Sequence, residues 1–82
     1  MMPIDSAHRL GEAVRSARKQ LGLNQSELAL ASGVGPRFIV DLEAGKPTVR
    51  LAQVLRVIDA LGGRVLLAGV NETPAAEPGD GQ

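Results

Sequence analysis

The 82-residue sequence contains no cysteine, tryptophan or tyrosine, and only one phenylalanine. The lack of cysteine excludes disulfide bonds, thiolate metal sites and thiol nucleophiles. No apolar run approaches the roughly 18 residues of a membrane span, and the first residues do not have the pattern of a secretory leader, so we expect a cytoplasmic protein. A domain of this size buries only about 60% of the surface of its unfolded chain, so we also expect a dimer partner to complete the core.

The formal net charge is zero, whereas a nucleic-acid-binding protein usually carries a basic surface. The charges are unevenly distributed, however. All nine basic residues lie within residues 1–70 together with six of the nine acidic residues, which leaves +3 on that part and −3 on residues 71–82. Residues 71–82 contain proline and glycine but no large apolar side chain. We interpret them as a disordered acidic tail, and residues 1–70 as one mildly basic domain.

Hydrophobic periodicity and capping residues predict four helices. We expect them at residues 6–21, 25–32, 36–43 and 49–61, with Asn24 and Glu27 as a capping box, Pro36 in a first turn and Thr48 as an N-cap. The predicted inward positions are Leu10, Val14, Ala17 and Leu21; then Leu28, Ala29 and Ala31; then Ile39 and Leu42, with Phe38 at the edge; and finally Leu51, Val54, Leu55, Ile58 and Leu61.

Residues 64–70 form a short apolar run after two glycines, which favours a strand. A single strand in a helical domain has no partner, and its apolar edge would aggregate unless it were covered. We therefore predict pairing with the same strand of a second copy. The predicted dimerisation residues are Val65, Leu66, Leu67 and Ala68. The expected fold class is mainly α, with four helices and one C-terminal β-strand that pairs across a homodimer.

The second and third predicted helices are short and joined by a glycine-containing turn, which is the pattern of a helix-turn-helix. The residues themselves are more specific than the spacing. The segment LGLNQSELA at residues 21–29, Gly33-Val34, Ile39 and the segment LEAGK at residues 42–46 closely resemble the Cro/C1-type (Xre) helix-turn-helix family. The resemblance extends from about residue 10 to residue 61, and it implies a lambda repressor-like fold that binds DNA.

A narrower resemblance follows from residues 37–51, RFIVDLEAGKPTVRL, and from residues 54–62 followed by one apolar strand. This arrangement is similar to the HipB-type antitoxins. The resemblance implies a homodimer that binds operator palindromes, represses its own toxin–antitoxin operon and docks a HipA-like serine/threonine kinase toxin. It implies no enzymatic activity. We predict no cofactor and no metal site, since His8 has Glu12 one turn away but no further ligand.

Transferred residue by residue, the resemblance makes residues 25–32 the first helix of the motif and residues 36–43 the recognition helix. Arg37 is suited to guanine because its planar fork can donate to O6 and N7. It could instead only pair with Asp41 one helical turn away. Gln25 opens its helix, where it would contact a phosphate or serve only as a good first residue. The predicted DNA-binding residues are Gln25, Gly35, Pro36, Arg37, Val40, Asp41, Lys46 and Arg50.

Arg18 and Glu43 have a different expected role. In proteins of the family that the sequence resembles, the matching residues form a partly buried ion pair between the first helix and the end of the recognition helix. The resemblance therefore implies that Arg18 and Glu43 stabilise the fold and that Arg18 does not contact DNA.

Two other functions are compatible with the sequence. One is a free-standing Xre-family regulator without a toxin, which an adjacent reading frame for a HipA-like kinase would argue against. The other is a protein-interaction module, because Pro36 and Val40 replace the polar residues that many repressors carry at the recognition surface. Salt dependence separates this last function from DNA binding, which weakens steeply as the salt concentration rises.

Overall fold

The computed structural model describes residues 2–70 of the chain. Met1 and the predicted acidic tail, residues 71–82, lie outside the described residues. Four helices follow one another: α1 (Ala7–Gln20), α2 (Gln25–Ser32), α3 (Pro36–Glu43) and α4 (Leu51–Ala60). Across residues 2–70, none of these helices has the length and apolar character needed to cross a membrane. The mainly helical fold class is confirmed.

Local capping interactions set the first helix boundaries. The Ser6 hydroxyl accepts a hydrogen bond from the Arg9 amide at 3.0 Å and caps α1. The predicted capping box of α2 is present: the Asn24 side chain accepts from the Glu27 amide at 2.7 Å, and the Glu27 carboxylate accepts from the Asn24 amide at 2.8 Å. Both caps are formed by side chains close in sequence, and the capping box of α2 could be predicted for that reason.

The start of α4 differs from the prediction. Thr48 does not cap the helix, because Pro47 and Thr48 form a turn and Arg50 occupies the N-cap position without a side-chain hydrogen bond. The helix therefore begins at Leu51. Proline fixes the backbone before Thr48 in a conformation that favours this turn over an immediate start of the helix.

The core lies where α2 packs against α3 and α4, and α1 packs against α3. Its fully buried apolar side chains are Val14, Leu28, Ala29, Ile39, Leu42, Val54 and Val57. Four residues that were predicted to face inward are exposed. Leu21 follows the last turn of α1 and is exposed, whereas Arg18 takes the buried position in that turn. Ala31 is exposed because α2 presents the stripe of Leu28, Ala29 and Ser32 to its neighbours.

The other two exposed residues are Leu51 and Leu55 of α4, which are 69% and 44% exposed. The helix packs against α2 through Val54 and Val57, so α2 does not cover the apolar side that carries Leu51 and Leu55. Together with α1 it borders an apolar groove of about 960 Å³. Residues from before α1 and after α4 complete the lining, including Met2, Ile4, Val65, Leu66, Leu67 and Ala68.

The segment after α4 has no regular secondary structure at residues 63–67 and turns at residues 68–70, and within residues 2–70 no strand is formed. A strand requires a partner strand with which to exchange backbone hydrogen bonds. The pairing of this segment across a homodimer therefore stays a prediction.

Gly11 allows α1 to approach the end of α3 closely. A Cβ atom at this buried position would lie 2.5 Å from the carbonyl oxygen of Leu42 and 2.7 Å from that of Glu43. These backbone atoms cannot rotate away as a flexible side chain would. No pattern in the sequence indicates this contact, because it joins helices that are distant in the chain.

We expect Gly11→Ala to lower the free energy of unfolding by about 1–3 kcal/mol, since the added methyl group pushes α1 away from α3. Urea denaturation followed by circular dichroism measures the change. Ser16→Ala, an exposed position of the same helix, is the matched control and should leave stability nearly unaltered. Equal stability of Gly11→Ala and this control would contradict the close approach.

Candidate nucleic-acid interface

The helix-turn-helix consists of α2, α3 and the three residues between them. Gly33 ends α2 in the left-handed conformation with φ 71°, and the Val34 amide donates to the Ala29 carbonyl at 3.0 Å. The buried Ser32 hydroxyl donates to the Leu28 carbonyl at 2.7 Å. These short-range bonds fix the angle at which α3 leaves α2, so the outer face of α3 has a defined orientation.

The predicted readout residues share this outer face. Helical periodicity places Pro36, Arg37, Val40 and Asp41 on one side of α3, opposite the buried Ile39 and Leu42. The side chain of Arg37 is 83% exposed. Gly35 precedes the helix as its N-cap and is also exposed. The structure thus brings five of the predicted contacts onto one accessible surface.

Arg37 and Asp41 form an ion pair one helical turn apart, with 3.2 Å between Arg37 Nε and Asp41 Oδ1. The second carboxylate oxygen of Asp41 lies 3.6 Å from Lys46 Nζ, and Lys46 follows the end of α3. The Lys46 amide also donates to the Asp41 carbonyl at 3.0 Å. Asp41 therefore joins the recognition helix to the loop after it. We call Arg37, Asp41 and Lys46 the recognition triad.

A second network lies beneath the interface. Arg18 donates through Nε and Nη2 to the two carboxylate oxygens of Glu43, at 2.6 and 3.0 Å, and through Nη1 to the Leu23 carbonyl at 2.8 Å. The hydrogen bond to Glu43 raises the pKa of Arg18 above its ordinary value, although burial acts in the opposite direction. The ion pair connects α1 to the end of α3 and leaves little of Arg18 accessible to DNA.

Gln25 belongs to the same network. Its Nε2 atom donates to Oε1 of Glu43 at 3.2 Å, so one carboxylate oxygen accepts from both Gln25 and Arg18. This contact positions the Gln25 side chain at the N-terminus of α2, where free backbone amides and the helix dipole favour an anion. The sequence pattern places Gln25 at the helix start but does not reveal its link to Glu43.

One predicted DNA-binding residue, Arg50, lies outside the helix-turn-helix and the recognition triad. Arg50 is exposed at the N-cap of α4. Gly45 was expected only as the glycine just past the end of α3. The structure also requires glycine there because φ is 83° and an added Cβ atom would lie 2.9 Å from the His8 Cα atom. Arg56 was missed; it donates from α4 to the Gly33 carbonyl at 3.3 Å and supports the turn. In the sequence, the glycine after the recognition helix indicated the turn at Gly45, whereas no pattern indicated the hydrogen bond from Arg56.

Comparison with known proteins agrees with this geometry. A family model for the helix-turn-helix, HTH_3, matches residues 14–66. The uncharacterized HTH-type transcriptional regulator y4mF of Sinorhizobium fredii is 57% identical over 53 residues, which are 65% of this chain and 70% of the relative.

Two solved structures are similar over most of the chain. The "HipB-O4 20mer complex" has a TM-score of 0.78 and 25% identity, and the match covers 87% of this chain and 100% of that one. The "Structure of HipA-HipB-O2-O3 complex" has the same TM-score of 0.78, identity of 25% and coverage of 87% and 100%. The chain is therefore similar in sequence to an HTH-type transcriptional regulator and similar in fold to HipB. The chain belongs to the Cro/C1-type helix-turn-helix family of DNA-binding transcriptional regulators.

Proposed function

We propose that this protein is a sequence-specific repressor that binds operator palindromes as a homodimer and acts as the antitoxin of a HipBA-type operon. In this function the outer face of α3 enters the major groove, and Gln25, Lys46 and Arg50 contact the DNA backbone. A HipA-like serine/threonine kinase toxin docks on the same homodimer.

The observation that carries the DNA-binding part is the exposed face of α3 with Arg37 at its first turn. The N-terminal part of a recognition helix is the part that reaches base edges, and arginine there can donate two hydrogen bonds to guanine. Gln25 lies at the N-terminus of α2, held by Glu43, where a phosphate would be favoured. The similarity to HipB in its O4 20mer complex supports the same use of this surface.

The homodimer is supported by the apolar groove between α1 and α4. Leu51, Leu55 and Leu67 are exposed in the single chain, and they line the groove together with the segment after α4. A contiguous apolar surface of this kind marks an interaction site. A second copy would cover it and would pair the two segments at residues 64–70. Two recognition helices would then meet successive major grooves about 34 Å apart.

Toxin docking is supported by the similarity to HipB in its complex with HipA. A free-standing regulator is the second candidate, and it is favoured by the 57% identity to a relative described only as a transcriptional regulator. The neighbouring reading frame separates the two functions. A HipA-like kinase gene beside this one, and co-purification of its product with this protein, support the antitoxin function, whereas the lack of both contradicts it.

We expect Arg37→Ala to weaken binding to the preferred duplex by about 1–3 kcal/mol for each protomer, roughly 5- to 150-fold per half-site, because the bidentate base contact is lost. Gln25→Ala should weaken binding to all duplexes, since a phosphate contact carries no sequence information. Fluorescence anisotropy at physiological salt, on a duplex that the unmodified protein selects from a random pool, measures both changes.

Arg9→Ala is the matched control, because Arg9 is a half-exposed arginine that pairs with Glu12 at 3.8 Å and lies on the side of α1 opposite Gly11, the residue that meets α3. It should retain nearly full affinity. Unchanged affinity of Arg37→Ala and Gln25→Ala would overturn the assignment of this surface to DNA. Binding that does not weaken with rising salt would instead favour a protein-interaction module.

A further inference from the structure

Asp41 is an acidic residue on the surface that should approach a polyanion. Its carboxylate lies 3.2 Å from Arg37 Nε and 3.6 Å from Lys46 Nζ. The side chain of Asp41 is 20% exposed, whereas those of Arg37 and Lys46 are 83% and 53% exposed. The carboxylate therefore sits behind and between two cations that extend further into solvent.

Stability gives little reason for this arrangement. Both cations are largely exposed, and ion pairs at a helix surface contribute little to folding, because water and salt screen them. Attraction to DNA gives no reason either, since each cation used on phosphates strengthens binding and each anion opposes it. The recognition triad carries one net positive charge in place of the two that its cations alone would supply.

The geometry of the pair with Arg37 distinguishes bases from phosphates. The carboxylate of Asp41 lies closest to Nε, and within residues 2–70 no hydrogen bond engages the two terminal nitrogens of the guanidinium, so both can donate to a ligand. The edge of a guanine carries no net charge, so Asp41 repels its acceptor atoms O6 and N7 only weakly while they accept from these nitrogens. A phosphate carries a full negative charge, and in the same place it would lie near the Asp41 carboxylate and be repelled. Asp41 thus penalises a phosphate contact more than a base contact.

We propose that Asp41 is a specificity-determining residue whose carboxylate weakens the binding of Arg37 and Lys46 to the phosphates of any duplex, and so increases the preference for sequences that offer Arg37 a base edge. Specificity here comes from a repulsive element as well as an attractive one. The inference rests on the proposed function, because it requires α3 to bind DNA with sequence preference.

The test compares two duplexes, one selected from a random pool by the unmodified protein and one scrambled duplex of the same composition. We expect Asp41→Asn to raise affinity for the scrambled duplex and to lower the ratio of the two affinities by about tenfold, the scale of one base contact. The salt dependence for the scrambled duplex should become steeper by about one ion per protomer. Asp41→Glu keeps the charge one helical turn from Arg37 and should restore most of the discrimination.

Asp59→Asn is the matched control, because Asp59 is an exposed acid on α4 and the substitution changes net charge equally. It should shift both affinities alike and leave their ratio unchanged. The inference is overturned if the unmodified protein prefers its selected duplex and if Asp41→Asn and Asp59→Asn have the same ratio of affinities for the selected and the scrambled duplex. If the unmodified protein does not prefer its selected duplex, the proposed function itself fails. Thermal unfolding of each variant shows whether a change in affinity comes from loss of the fold.

Discussion

Replacing Glu43 with glutamine, or Arg18 with methionine, is expected to lower the free energy of unfolding by about 3–5 kcal/mol. The side chains of Arg18 and Glu43 are only 9% and 4% exposed, so either substitution leaves a buried charge without its partner. Loss of Arg18 also leaves the Leu23 carbonyl without its donor, and loss of the Glu43 charge weakens the bond to Gln25. Urea unfolding at neutral pH, followed by circular dichroism, measures the change.

Two comparisons separate this effect from a general loss of surface charge. Glu12→Gln removes an exposed acid that pairs with His8 at 3.3 Å, and it should scarcely change stability. The double variant Arg18→Met/Glu43→Gln removes both charges, so its loss should be smaller than the sum of the two single losses. Single variants as stable as Glu12→Gln would contradict a structural role for this ion pair.

The parts of the fold that the sequence predicts depend on neighbours in the chain. Asn24 and Glu27 are three residues apart, and their capping box could be inferred because both side chains reach only adjacent backbone. Pro36 at the first position of α3 has the same local basis. The outer face of α3 follows from helical periodicity once its bounds are known. These elements needed no information about tertiary packing.

The features that could not be predicted depend on which helix surfaces pack against each other. The apolar side of α4 is wider than the part that α2 covers, so periodicity alone could not tell Val57, which is buried, from Leu55, which lines the groove. The contact between Gln25 and Glu43 joins residues 18 apart, and the close approach at Gly11 joins α1 to α3. Neither has a local pattern. The pair of Arg18 and Glu43 was implied only by resemblance to known proteins.

The charge of the chain must also be considered locally, at the surface that would contact DNA. A net charge of zero over the full chain says little about DNA binding, because the field at the interface is set by the nearest groups. At α3 these groups are the recognition triad and the N-terminus of α2, where Gln25 is held by Glu43. The basic residues of the triad extend outward, and its one acid is set back between them.

Leu66→Lys or Leu67→Lys is expected to convert the proposed homodimer to a monomer or an unfolded chain. Both leucines are largely exposed in the single chain and line the apolar groove beside α1 and α4. In the homodimer a lysine there would be taken out of water without an ionic partner, which is strongly unfavourable. Sedimentation at micromolar concentration measures the oligomeric state, and circular dichroism separates a folded monomer from an unfolded chain.

Loss of the homodimer should also weaken binding to a palindromic duplex by about 100-fold or more, because the second recognition helix no longer binds as part of the same particle.

Leu30→Lys is the matched control: Leu30 is an exposed leucine of α2 that lies outside the groove, so this variant should sediment as a dimer. An intact dimer in both Leu66→Lys and Leu67→Lys would contradict pairing through residues 64–70. A dimer lost in all three variants would show a general effect of added lysine, and the groove would then lose its assignment as the interface.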